Sequence, residues 1–122
     1  MTKNKLQVDY PFFLHVIREA VSHLPEANER LCHGTPGFYA GKKIFARVQE
    51  DLASLAVYTK RKDDLLASNP VVYFTTPHFD GYDYVLVRLA RVDFNELAKL
   101  LLEGWRERAP KRAIREYESL YG

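Results

Sequence analysis

Cys32-His33 and Thr76-Pro77-His78 are the places in this chain where a thiol, an imidazole and turn-forming residues come closest together. A thiol hydrogen-bonded to an imidazole would be a nucleophile for acyl or disulfide chemistry. Neighbours on a strand point to opposite faces, so Cys32 and His33 cannot reach each other, and His78 would have to come across from a distant segment. The expectation is a small, inert, buried Cys32. His15, Glu19 and His23 recur every fourth residue along one helix face. Without the HExxH order or a further ligand, that spacing predicts a solvated face rather than a zinc site. No glycine-rich phosphate loop, GxSxG elbow or paired CxxC motif occurs. The sequence makes no case for an enzyme and calls for no cofactor or metal.

Charge is the other chemistry on offer. Lys and Arg number 18 against 16 Asp and Glu, a formal net of +2. The charges are segregated along the chain. From Lys42 to Lys62 the cations Lys42, Lys43, Arg47, Lys60, Arg61 and Lys62 face only Glu50 and Asp51, whereas Asp63, Asp64, Asp80 and Asp83 follow without a cation among them. Lys42 and Lys43 sit where a hairpin tip could touch phosphate, and Lys60-Arg61-Lys62 lies just before a helix. Ala109-Pro110-Lys111-Arg112 begins another helix, whose first N–H groups and cations can hold an anion. Phe45 and Arg47 are expected together on the face opposite Ile44, Ala46 and Val48. Aromatics among arginines on an open sheet would suit base stacking. His78 and Tyr82, near the acidic tip, are candidates for binding a small ligand or a protein partner instead.

These groups need elements to position them. Asp9 reads as an N-cap with Pro11 in the first turn, and Phe13, Val16, Ile17, Ala20 and Leu24 follow at helical spacing. From Arg30 the pattern changes to strands: Ile44, Ala46 and Val48 alternate with polar neighbours, as do Leu55 and Val57. Gly41-Lys42-Lys43 marks one hairpin tip. Asp80-Gly81, between strands at Val71 to Thr75 and Tyr84 to Leu89, marks a second, of type I′. Asp63 to Ser68 reads as a short helix stopped by Asn69-Pro70. Asp93-Phe94-Asn95-Glu96 has capping-box spacing ahead of a stripe of Phe94, Leu97, Ala98, Leu101 and Trp105. Pro110 separates a terminal helix over Lys111 to Tyr121, with Ile114, Tyr117 and Tyr121 facing inward.

The order helix, strands, helix, helix predicts an α+β fold, an antiparallel sheet with helices packed on one face. At 122 residues and 47% hydrophobic, with 8 Tyr, 7 Phe and 1 Trp, one domain over residues 1–122 with a real core is expected. The single cysteine predicts a reducing, cytoplasmic setting. The start of the chain has no apolar leader core, and no stretch approaches a membrane span.

Several ordered motifs together resemble the MmcQ/YjbR family of small bacterial proteins. They are Cys32-His33-Gly34-Thr35-Pro36-Gly37-Phe38, Gly41-Lys42-Lys43-Ile44-Phe45-Ala46-Arg47, Tyr73-Phe74-Thr75-Thr76-Pro77-His78-Phe79-Asp80-Gly81-Tyr82, Val85-Leu86-Val87-Arg88-Leu89, and Trp105 followed by Ala109-Pro110-Lys111-Arg112. The resemblance runs from the first helix to Glu116. It implies a CyaY-like (frataxin-like) fold and DNA binding through a double wing of hairpins, and carries over no catalytic residue. The first wing, with Lys42 and Lys43, suits phosphate. The second, Asp80-Gly81-Tyr82-Asp83, departs from a basic wing and presents two carboxylates that DNA repels. The reading from sequence is therefore a non-catalytic binder of DNA with little base specificity.

Overall fold

The computed structural model describes residues 5–122, with side chains from Asp9 onward; the stretch read as lacking a leader core lies partly outside the described residues. The elements run α1 (Lys5–Val21), β1 (Ala27–Cys32), β2 (Thr35–Ala40), β3 (Lys43–Val48), β4 (Ser54–Tyr58), α2 (Lys62–Ser68), β5 (Tyr73–Phe74), β6 (Tyr84–Arg88), α3 (Phe94–Arg108) and α4 (Lys111–Tyr121). The strands form a 6-stranded sheet in the order β1-β2-β3-β4-β6-β5. Every neighbouring pair is antiparallel. This is an α+β fold.

One face of the sheet carries Leu55, Val57, Val85 and Val87, all buried, and α3 packs across it with α1 alongside. Apolar burial there is the main stabilising term. Trp105 anchors it: the ring is fully buried and its Nε1–H donates to the Pro25 carbonyl at 3.0 Å. Gly104 lets α3 approach the sheet, since a Cβ there would lie 2.7 Å from the Tyr58 carbonyl oxygen. Arg47, Ala56 and Leu86 pair in register on the opposite face. None of the described helices is long and apolar enough to cross a membrane.

Several expectations are corrected. Helix α1 starts at Lys5, so Pro11 lies inside it, where it removes one backbone hydrogen bond instead of sitting in the first turn. A β-bulge changes β3: Ala46 pairs with Phe38 and Ile44 with Tyr39, leaving Phe45 unpaired. Phe45 is thereby turned into the core, fully buried, while Arg47 stays on the open face. His33 is not on a strand. With φ of 51°, beside Gly34 at 86°, it forms the tight turn between β1 and β2.

The second expected hairpin lacks the tight type I′ tip: β5 and β6 pair antiparallel, but residues 75–83 join them in a longer connection. β5 is reduced to Tyr73–Phe74, and Pro77–Phe79 forms a 3-10 turn. Asp80 (φ −60°, ψ 129°) and Gly81 (φ 82°) then close a type II turn, in which the Tyr82 N–H meets the Phe79 carbonyl at 3.1 Å. Proline at the strand end withholds a ladder donor, and the 3-10 turn follows from it. Asp93 caps α3 as expected, accepting from the N–H groups of Asn95 and Glu96. The Glu96 carboxylate does not reach back; it accepts from the Tyr73 hydroxyl at 2.5 Å. Phe94 and Tyr121, expected inside, are exposed.

Candidate nucleic-acid interface

The β2–β3 tip is a two-residue turn with Ala40 opposite Lys43 and Gly41 at φ 62°, a left-handed value that glycine adopts without strain. It holds Lys42 and Lys43 in solvent. The joint between α3 and α4 lies against it: a Cβ on Gly41 would be 3.7 Å from Pro110 Cδ. Lys42, Lys43, Arg108 and Arg112 line one cleft of about 420 Å³ around Pro110. Lys111, the first residue of α4, is exposed beside it.

Arg108 is fixed from below. Its Nε–H donates to the Ile44 carbonyl at 3.2 Å, and its guanidinium carbon sits 4.6 Å from the Tyr58 ring centre. The same carbonyl accepts from the Tyr84 hydroxyl at 3.1 Å, whose pKa burial pushes up. Lys60 Nζ lies 5.5 Å from the Tyr58 ring. The acid in this region, Glu26, takes Arg112 in a two-pronged pair at 2.6 and 2.8 Å. Sequence reading missed Arg108; its signal was a cation in the last turn of α3, just ahead of Ala109-Pro110.

Other predicted contacts are spent inside the molecule. Arg47 donates to the carbonyls of Cys32 (2.9 Å) and His33 (3.2 Å) and to Glu50 (3.1 Å), clamping the β1–β2 turn. Arg61 pairs with Glu103, and Lys60 with Asp83. Lys62 is half-buried, and its ammonium donates to the carbonyls of Phe79 and Tyr82 at 2.7 and 2.9 Å, tying α2 to the 75–83 segment. Among the described residues, the side chains of Lys42, Lys43 and Lys111 make no hydrogen bond or ion pair. Two rings of the open face are already covered: Arg30 lies 3.8 Å from the Tyr39 ring centre, and Arg88 4.1 Å from that of Phe74.

His78 and Tyr82 are not brought together. His78 lines a cleft of about 420 Å³ with Arg47, Glu50, Thr76 and Phe79, whereas Tyr82 borders a separate cleft beside Lys60, Asp64 and Asp80. Cys32 is half-buried, and no group of three His, Cys, Asp or Glu poised to hold a metal occurs among the described residues.

The YjbR family model matches residues 22–107, from the end of α1 through nearly all of α3. The chain belongs to the YjbR family. Uncharacterized protein Mb2600 of Mycobacterium bovis and uncharacterized protein Rv2570 of Mycobacterium tuberculosis are each 51% identical to it over 53 residues. That match covers 43% of this chain and 41% of each relative, so it spans less than half of their length. A crystal structure of Deinococcus radiodurans protein DR2400, with a DUF419 domain, superimposes with a TM-score of 0.63 over 75% of both chains at 21% identity. That likeness shows the fold. In this YjbR chain the basic tip falls inside the family-matched span, whereas Arg108, Lys111 and Arg112 fall after it.

Proposed function

We propose that this YjbR protein is a non-catalytic module that binds the phosphate backbone of duplex DNA with little base specificity, through the β2–β3 tip and the α3–α4 joint. The observation that carries the reading is the convergence of Lys42, Lys43 and Arg108 on one cleft beside Lys111, with Glu26 already occupied by Arg112. Phosphate contact through point charges carries no base information, and rings that already hold a guanidinium are poor stacking platforms. Binding in this mode uses one wing. The 3-10 turn and the carboxylates of Asp80 and Asp83 leave the second without a role at DNA. The test is a titration of labelled duplex with the Lys42→Glu/Lys43→Glu double variant, whose sites are exposed. Affinity should fall on the order of tenfold or more at fixed salt. Unchanged affinity rejects the reading.

The cleft at His78 supports a second reading, a small-ligand site on the open sheet face. A ligand-observed NMR fragment screen tests it: hits abolished by His78→Ala support it, and hits indifferent to that change count against it.

A further inference from the structure

One cleft opens away from both the basic tip and His78. It has a volume of about 830 Å³ and opens between the middle of α1, the start of α3, the 89–93 segment and the β3–β4 loop. That volume is in the range of small-molecule sites, which run from about 300 to 1,000 Å³.

Its lining is aromatic. Phe12 from α1 is 55% exposed and Phe94 from α3 is 36% exposed, with ring centres 5.7 Å apart and tilted by 58°. Buried Leu89 and Val92 also line the cleft, and Phe74 contributes a third ring. Exposed rings gathered in a concavity gain free energy when an apolar group covers them.

Two guanidinium groups flank this lining. The Arg91 side chain makes no hydrogen bond or ion pair among the described residues, and it is exposed. Arg88 rests over Phe74, and its Nη1 meets the Pro70 carbonyl only at 3.4 Å, beyond the usual range for such a bond. Both forks therefore have donors to spare. The carboxylate facing them from the β3–β4 loop is committed: Asp51 Oδ1 accepts from the N–H groups of Ala53 and Ser54 at 2.9 and 3.0 Å, and from the Ser54 hydroxyl. Asp9 is the other acid of the lining.

We propose that this cleft binds a small aromatic carboxylate, its ring system lying against Phe12 and Phe94 and its carboxylate taken by Arg88 and Arg91. A planar fork meeting a carboxylate in two parallel hydrogen bonds gives orientation as well as affinity. The proposal is independent of DNA binding, and it does not use His78, although Asp51, Ser54 and Phe74 line both clefts.

The test uses naphthalene-1-carboxylate and its cationic counterpart 1-naphthylmethylamine, titrated into the full chain and followed by backbone amide NMR. The carboxylate should shift the signals of residues 90–94 saturably, with the amine at least about tenfold weaker, as expected when a charge-assisted pair is lost. Arg88→Gln/Arg91→Gln should weaken the carboxylate by a similar factor, and Arg115→Gln, on α4, should change nothing. Asp9→Asn should tighten it by relieving repulsion. The changed side chains are not in the core, and thermal unfolding of each variant confirms that the fold is intact. No saturable shift, equal binding of acid and amine, indifference to the arginine pair, or weakening by Asp9→Asn overturns the proposal.

Discussion

Arg47 spends its guanidinium on two backbone carbonyls and Glu50, whereas Lys42 and Lys43, on the same hairpin, keep their charges for solvent. The difference separates cations committed to the fold from cations left available to a partner. Arg47→Ala should lower unfolding stability by about 1–3 kcal/mol in urea, the usual range for hydrogen bonds to a charged group, and leave the DNA affinity of the folded protein unchanged. Tyr73 gives a pH signature. Burial first, and then the Glu96 carboxylate that its hydroxyl bonds, push its pKa above the ordinary 10.0. The unfolded phenol ionises near that ordinary value while the folded one resists. Its contribution is therefore fully present below about pH 10 and lost as pH rises beyond it. The stability gap between wild type and Tyr73→Phe, measured by denaturant unfolding, should shrink above pH 10. A gap that widened there would contradict this. At this scale the sequence was legible in residue types but not in partners. Lys60 finds Asp83 at a separation of 23 residues, Arg61 finds Glu103 at 42 and Arg112 finds Glu26 at 86. No window of local sequence contains those pairs, so the partners of the Lys60 to Lys62 run could not be read from chain order.

Elements were read best where their signal is local. Asp93 caps α3 through its own side chain, and the helix runs to the residue before Ala109-Pro110. The first tip was visible for the same reason, since Gly41 supplies the positive φ that the turn requires. Failures arose where tertiary packing decides. A bulge at Phe45 overrides simple alternation to fill the core, and pairing with β6 claims only two residues of the Val71 to Thr75 run. The contact between α3 and β4 makes a prediction of its own. A methyl at Gly104 would lie 2.7 Å from the Tyr58 carbonyl, which as backbone cannot swing aside. Gly104→Ala should cost about 1–3 kcal/mol despite the better helix propensity of alanine, because α3 must lift from the sheet. Thermal unfolding reads this; an alanine variant as stable as wild type would show that the helix has room. Displacing the end of α3 also moves Arg108, so DNA affinity should fall in the same variant.

Taken whole, the molecule is nearly neutral, and its formal +2 excludes nothing because pairing decides which charges remain available. Most of the Lys42 to Lys62 excess is consumed within the fold. What survives is a compact basic surface assembled from the hairpin tip, the last turn of α3 and the first turn of α4. This convergence could not be seen in chain order, as Lys42 and Lys111 are far apart in the sequence. A small surface of this kind predicts modest affinity, few phosphates and a correspondingly shallow dependence on salt. The most direct measurement is the duplex affinity of wild type and Lys42→Glu/Lys43→Glu across a series of salt concentrations. With about three to four phosphates engaged, the log–log slope should be about −3, and the double variant should reduce its magnitude by about 2. Absence of binding at low salt, or a slope identical in the two proteins, would contradict phosphate recognition by this surface.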